Sequence, residues 1–78
     1  MPTVLRDHGF RYFFFSKENN EPPHIHVSKG DGYAKYWLEP VYLANSVGFK
    51  ANELGKIKKV VELNKNYFID KWNEYFSE

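Results

Sequence analysis

Two of the three histidines in the chain, His24 and His26, stand at alternate positions directly after Pro22 and Pro23. Alternate residues of an extended strand point to the same face, with Cα atoms about 6.5–7 Å apart. Two imidazoles placed in this way can converge on one zinc, copper, nickel or iron ion. A catalytic zinc site usually takes three protein ligands, and His8 is the only other imidazole. The candidate metal ligands are therefore His24, His26 and His8, of which the first two are also the candidate catalytic residues. The spacing alone assigns no metal and no other cofactor.

Three interpretations of the histidine pair stay open. In the one that we favour, the ring nitrogens bind loop carbonyls or carboxylates and hold the Pro-Pro turn against a sheet, or the rings contact a partner. In the second, the pair binds a divalent metal with the help of one of the available carboxylates: Asp7, Glu18, Glu21, Asp31 or Glu39. In the third, His26-Val27-Ser28 is one His-x-Ser element of a nucleotide phosphodiesterase. The chain holds no second such element, so a symmetric dimer would have to supply it.

The composition excludes several classes of function. The chain has no cysteine, so it has no disulfide, thiolate zinc site or cysteine nucleophile. It contains neither a Gly-x-Ser-x-Gly elbow nor a phosphate-binding glycine loop. The net charge is +1, and acidic residues interrupt the lysines of the C-terminal segment, which argues against nucleic acid as a partner. No run approaches the roughly 20 apolar residues of a membrane span, and no signal-peptide pattern is present. We therefore expect a soluble, cytoplasmic protein of one domain.

Residues 1–46 have the pattern of a β-meander. Aromatic residues make up 19% of the 78 residues, and rings suit a pleated, half-buried surface. Polar or glycine-rich segments separate the apolar runs and provide the turns. The sequence predicts four or five short antiparallel strands, over residues 3–6, 10–15, 24–28, 33–39 and 41–44. The last of them, which follows Pro40, is either an edge strand or an extended connection, and residues 45–50 are expected to form a loop.

Residues 51–76 have a helical period. One apolar stripe recurs at steps of three, four or seven: Leu54, Ile57, Val61, Phe68, Trp72 and Tyr75. The segment 64–66 carries two poor helix formers and no residue of the stripe. The sequence therefore predicts one long C-terminal helix that is kinked or broken near Asn64–Asn66.

Together these elements predict a two-layer α+β domain in which the helix packs on one face of the sheet. One helix covers only one face, so Phe13, Phe15 and Trp37 are predicted to lie on the other. They are the candidate interface residues for another subunit or a partner protein, since an exposed apolar patch usually marks a contact surface. The alternative is that loops and the C-terminal turn of the same chain cover them.

Four segments resemble a known family: Met1-Pro2-Thr3, Gly9-Phe10-Arg11, Pro22-Pro23-His24-Ile25-His26 and Lys71-Trp72-Asn73-Glu74-Tyr75-Phe76. They are similar, in the same order, to segments of the bacterial domain of unknown function 4160 family. The resemblance implies a small bacterial protein without an agreed biochemical activity. It also implies a neighbouring gene for a partner of the domain of unknown function 2442 family, in an arrangement that looks like a two-gene toxin–antitoxin module. Relatives often offer a capping hydroxyl at the helix start, where this chain has Lys50-Ala51-Asn52.

The resulting functional hypothesis is a protein-interaction component of such a two-gene module, or of a homo-oligomer. The alternative is a metal- or histidine-dependent, nuclease-like hydrolase centred on the Pro-Pro-His-x-His motif of Pro22, Pro23, His24 and His26.

Overall fold

The computed structural model describes residues 3–15 and 20–76. These residues form β1 (Thr3–Asp7), β2 (Phe10–Phe13), β3 (His24–Lys29), β4 (Gly32–Leu38), β5 (Val41–Val47), α1 (Ala51–Leu63) and α2 (Lys65–Phe76). The strands make one antiparallel sheet in the order β1-β2-β3-β4-β5, so each strand pairs with its neighbours in sequence. The predicted α+β class, with an antiparallel sheet before the helical segment, is confirmed. Neither helix is long and apolar enough to cross a membrane.

One face of the sheet, called the helix face here, packs against α1 and α2. Tyr12 and Val27 lie opposite each other across β2 and β3 on this face, and both are fully buried. The Tyr12 ring stacks on Phe68 of α2 at a centroid distance of 5.6 Å, and the Tyr36 hydroxyl donates to the Leu54 carbonyl of α1 at 3.0 Å. The buried core between the layers consists of Phe10, Tyr12, Phe14, Ile25, Val27, Ala34, Tyr36, Leu38, Ile57, Val61, Phe68 and Trp72.

The C-terminal segment is divided into two helices at Asn64. The backbone N–H of Asn64 donates to the Val60 carbonyl at 3.0 Å, and its side-chain amide donates to the same oxygen at 2.8 Å. An asparagine side chain that competes for a helix carbonyl favours termination. The helical path resumes at Lys65, where the Asn64 carbonyl accepts the N–H of Phe68 at 2.9 Å. The break predicted at this point is confirmed, and a single continuous helix is not formed.

α1 begins without a capping hydroxyl. The carboxylate of Glu53 instead accepts the backbone N–H of Lys50 at 2.9 Å. A carboxylate three residues into a helix satisfies one unpaired donor and also lies at the positive end of the helix dipole. Glu53 therefore provides part of the N-terminal capping that a hydroxyl side chain at the start of α1 would otherwise provide.

The structure corrects several details of the sequence analysis. Residues 45–47, expected in a loop, belong to β5 and pair with β4, because tertiary pairing overrides the weak strand propensity of Asn45 and Ser46. β2 ends at Phe13 rather than at residue 15. Of the kink and the break that the sequence left open for the helical segment, the structure has the break, which gives α1 and α2. Tyr75 of the apolar stripe is exposed instead of buried.

The hairpin of β3 and β4 packs against the segment that leads into α1. Gly30, in its turn, has φ 57, a conformation that glycine adopts without strain. Gly32 is buried, and a Cβ at this position would overlap the ring of Phe49. The Phe49 ring contacts the Phe10 ring at a centroid distance of 5.7 Å. The missing side chain at Gly32 therefore lets the segment before α1 lie directly on the sheet.

Candidate functional site

The Pro-Pro-His-x-His motif leads into β3, and both of its imidazoles are buried. Nδ1 of His24 lies 2.9 Å from the Pro22 carbonyl oxygen. A carbonyl only accepts hydrogen bonds, so this nitrogen carries the proton and donates. The Pro23 carbonyl accepts the Leu38 N–H of β4 at 3.1 Å. These contacts fasten the Pro-Pro segment to two neighbouring strands, as the structural interpretation of the motif expects.

His26 lies within a group of aromatic side chains. Its Nδ1 is 2.7 Å from the Tyr33 hydroxyl oxygen. Its ring centroid lies 4.4 Å from Phe15, in an edge contact, and 5.6 Å from Phe13, in a stacked one. The His24 ring stands nearly perpendicular to it at 5.0 Å. These five residues are called the histidine cluster below, and they show that the two imidazoles share a face, as alternation along a strand predicts.

A carboxylate and an ammonium group border the histidine cluster. Oε1 of Glu21 lies 2.9 Å from Nζ of Lys35 and 3.7 Å from Nδ1 of His24. The Lys35 ammonium also lies 4.5 Å from the centroid of the Trp37 ring. Glu21 is exposed, so solvent screens its ion pair with Lys35, which contributes little to stability. Glu18, another candidate carboxylate, lies outside the described residues.

The described residues contain no group of three side chains that would hold a metal ion. His24 and His26 lie together, but His8 lies in the turn after β1. Its carbonyl accepts a hydrogen bond from Lys29, at the far end of β3 and roughly 16 Å along the strand from His24. The His8 imidazole instead lies 3.1 Å from the carboxylate of Asp7. The structure therefore unites two of the three candidate ligands, and their catalytic or metal-binding roles stay predictions.

The predicted interface residues differ in their exposure. Phe13 lies opposite His26 on the face away from the helices, and only 4% of it is exposed. The guanidinium of Arg11 lies 4.3 Å from the centroid of its ring. Phe15 and Trp37 are half-buried. Phe13 therefore offers almost no contact area to a partner, whereas Phe15 and Trp37 offer part of theirs.

α2 reaches the histidine cluster through Trp72. The Trp72 ring lies 4.8 Å from the His24 ring and 5.4 Å from the Phe14 ring, measured between centroids. Both Phe14 and Trp72 belong to the main core. The histidine cluster is thus continuous with the packing between sheet and helices, and a side chain from the end of the chain helps to close it.

Sequence reasoning missed an exposed apolar surface on β5. Tyr42 is 53% exposed and Val47 is 61% exposed, and Leu43 lies between them. β5 ends the sheet, and no described strand pairs with its outer side. This surface, made of Tyr42, Leu43, Val47 and the outer backbone of the strand, is called the β5 edge below. The sequence feature that could have indicated it is the uncharged run of seven residues 41–47. The polar residues at positions 45 and 46 led to the prediction of a loop there.

Comparison with family models matches residues 9–73 to Domain of unknown function (DUF4160). The matched region begins just before β2, includes the Pro-Pro-His-x-His motif and ends within α2. A search of curated proteins and a search of solved structures each found no match. With most of its length matched, the chain belongs to the domain of unknown function 4160 family.

Proposed function

We propose that the protein acts by binding another protein chain, which adds a strand to the β5 edge. Strand addition supplies main-chain hydrogen bonds along an edge, and alternate side chains provide specificity. The observation that carries this proposal is the combination in β5 of exposed apolar side chains, an outer side unpaired among the described residues, and no charge. Natural edge strands are commonly protected by lysine, proline or short length. β5 has seven residues and contains neither lysine nor proline.

The β5 edge presents apolar groups on both faces of the sheet. Tyr42 lies opposite Trp37 of β4, on the face away from the helices, and Leu43 lies opposite Tyr36, on the helix face. A partner strand beside β5 would therefore meet apolar side chains above and below it. Trp37, one of the predicted interface residues, extends this surface inward from Tyr42. Ala44 has no opposite residue in β4, so a bulge divides the edge into two runs of three residues.

The proposed partner is the neighbouring gene product of the domain of unknown function 2442 family that the resemblance implies. The pair would form a two-gene toxin–antitoxin-like module in the cytoplasm. A second copy of the same chain is the other occupant to test. Antiparallel pairing of two β5 edges across a twofold axis would continue one sheet through both copies.

Size-exclusion chromatography with light scattering, on the chain alone and with the neighbouring gene product, tests this proposal. We expect a complex that the double variant Tyr42→Lys/Val47→Lys abolishes, because two lysines at the edge oppose strand addition. The matched control is Leu63→Lys, which places lysine on an 85% exposed apolar position of α1. A chain that stays monomeric and ignores its neighbour would contradict the proposal, as would a complex weakened equally by both variants.

The rival proposal is a metal- or histidine-dependent hydrolase with nuclease-like activity at His24 and His26. The contact between the two imidazoles favours it. However, both rings are buried, and Nδ1 of each one contacts a neighbouring group of the fold. A substrate would therefore reach them only after surrounding residues move. Metal analysis of the purified protein and nuclease assays on His24→Ala and His26→Ala separate this proposal from the first.

A further inference from the structure

A cavity lies between the turn that joins β1 to β2 and the helix α1. Its volume is about 440 Å³, which is within the range of small-molecule sites. None of its lining residues belongs to the histidine cluster or to β5. Phe10 and Val60 supply apolar surface, and three lysines supply positive charge: Lys29, Lys56 and Lys59. The cavity thus combines an apolar wall with a cationic rim.

The hydroxyl of Tyr12 is an independent sign that this cavity takes a ligand. Tyr12 is in the lining, its side chain is fully buried, and its hydroxyl has no hydrogen-bond partner in the described part of the chain. Buried polar atoms are nearly always paired, so an unpaired one calls for an explanation such as a missing partner. Burial, together with the nearby charge of Asp7 and the Tyr36 hydroxyl, raises the pKa of the Tyr12 phenol. The phenol is therefore protonated at neutral pH and can donate to a bound acceptor.

The described lining carries three lysines against two carboxylates, those of Glu53 and Asp7, so positive charge is in excess. Lys56 and Lys59 are three residues apart on α1 and share one side of it, and neither forms an ion pair with a described residue. Each acidic lining residue has another described contact besides the lysines. Glu53 accepts the N–H of Lys50 at the start of α1, and Asp7 lies 3.1 Å from the imidazole of His8.

Lys29 approaches the cavity from the opposite wall. Its Nζ lies 4.7 Å from the centroid of the Phe10 ring and donates to the His8 carbonyl at 3.4 Å. Gly9 has φ 84, and a Cβ there would come within 3.2 Å of Lys29 Cε. The small residue in the turn therefore leaves room for the lysine beside the aromatic wall, so that cations flank the cavity on two sides.

We propose that this cavity binds a small aromatic molecule that carries a phosphate or a carboxylate. The anionic group of the ligand lies between Lys56 and Lys59, and its ring packs on Phe10. The Tyr12 hydroxyl donates a hydrogen bond to an acceptor atom of the ligand. The proposal is independent of the β5 edge, because the two surfaces share no residue.

Nuclear magnetic resonance titration of the full chain with defined probes tests this inference. Phenyl phosphate and benzoate carry both a ring and an anion, benzyl alcohol carries only the ring, and inorganic phosphate carries only the anion. We expect phenyl phosphate or benzoate to shift the backbone amides of residues 7–10 and 56–60 saturably. Benzyl alcohol and inorganic phosphate should each bind about tenfold more weakly or worse, because each lacks one of the two contacts. The stronger of the two anionic probes identifies the preferred anion.

Three variants locate the contacts of the probe. Tyr12→Phe, which removes only the hydroxyl, should weaken binding about three- to tenfold. Lys56→Gln/Lys59→Gln should weaken it about tenfold or more. Lys58→Gln is the matched control, because Lys58 is an exposed lysine of the same helix outside the lining, and it should leave the affinity unchanged.

Four outcomes would overturn the inference. They are no saturable shift with either anionic probe, equal binding by inorganic phosphate, unchanged affinity in the Lys56→Gln/Lys59→Gln variant, and an equal loss in Lys58→Gln. Unchanged affinity in a folded Tyr12→Phe would remove the hydroxyl from the site and contradict the proposed contact. If Tyr12→Phe fails to give a dispersed spectrum, the exposed lysine variants decide the result.

Discussion

β1 and β5 are the two outer strands of one sheet, and their edges are built in different ways. Both have an irregular register, but β1 has only five residues and carries charged side chains at Arg6 and Asp7. Tyr67 of α2 also donates its hydroxyl to the Val4 carbonyl of β1 at 3.0 Å. β5 has seven residues without a charge, and its exposed side chains include Tyr42 and Val47.

The difference follows from the paths of the two helices. α2 reaches over to β1, where Val4 and Leu5 pack against the core and Tyr67 binds the backbone. α1 contacts β5 from one face, and no described residue pairs with the outer backbone of that strand. Short, charged or covered strands resist pairing with other chains, whereas long apolar edges invite it. The comparison indicates that β1 is part of the stable fold, and it supports β5 as the strand that the proposed partner chain contacts.

The largest expected effect concerns the centre of the sheet between these edges. His24→Ala and His26→Ala should each lower the free energy of unfolding by about 2–4 kcal/mol, because each removes a buried, hydrogen-bonded ring from the histidine cluster. Urea denaturation measures this. His8→Ala is the control, since His8 is mostly exposed, and it should change stability by less than about 0.5 kcal/mol. Equal stability of all three variants, with loss of a hydrolytic activity in the first two, would favour the rival function.

The next expected effect tests the edges directly by hydrogen exchange. With the neighbouring gene product bound, amides in residues 41–47 should exchange about tenfold more slowly or better, because an added hydrogen bond opposes opening. Amides in residues 3–7 should keep their rates. Mass spectrometry on peptides from the free and bound chain gives both values. Protection of residues 3–7 instead would reverse the assignment of the two edges.

A smaller effect concerns the cover of β1. Tyr67→Phe removes the hydrogen bond to Val4 and should lower the free energy of unfolding by about 1 kcal/mol. Tyr75→Phe is the matched control, because Tyr75 and Tyr67 are 41% and 42% exposed and no hydrogen bond of the Tyr75 hydroxyl is described. Urea denaturation compares them. Equal stability of the two variants would mean that the hydroxyl of Tyr67 does not hold the β1 edge.

The smallest effect at neutral pH is expected for Tyr12→Phe, which should change the free energy of unfolding by no more than about 1 kcal/mol. The difference in the pH dependence of stability between the wild type and Tyr12→Phe appears above pH 10. Burial raises the pKa of Tyr12 in the folded chain, whereas a tyrosine in the unfolded chain ionises near pH 10. The stability that depends on the protonated phenol is therefore fully present below pH 10. It falls by about 1.4 kcal/mol for each pH unit above that value.

Unfolding of the wild type and of Tyr12→Phe between pH 8 and pH 11 measures this slope. The variant should lose less stability as the pH rises, because it lacks one of the buried phenols. Tyr36, whose pKa burial also raises, is present in both proteins, so its own ionisation contributes to both slopes. Parallel curves would show that Tyr12 ionises equally in both states.

Local patterns were enough to predict most of the fold. Alternating apolar residues indicated the strands, and Asn64 indicated the point where the helix breaks. Local patterns did not predict the strand at residues 45–47, because this strand depends on pairing with β4 and not on the propensities of Asn45 and Ser46. The prediction that Tyr75 is buried was wrong for a related reason, because a periodic apolar stripe does not show where along the helix the core ends.

The sites were predicted less completely than the fold. Alternation placed His24 and His26 on one face, but their burial depends on Phe15 and Trp72, which come from distant parts of the sequence. The cavity has no local signal either, because the helix brings its lysines to Tyr12 only in the folded chain. Sequence reasoning therefore finds residues with unusual chemistry more readily than it finds the partners that decide their exposure.

The contact between Gly32 and Phe49 has a consequence for how related sequences can diverge. Even an alanine methyl at position 32 would occupy space that the Phe49 ring fills. In lineages that keep the ring, position 32 should stay glycine, and a side chain should arise there only where position 49 has become small. The two positions would then covary among homologues, although they are seventeen positions apart in the sequence.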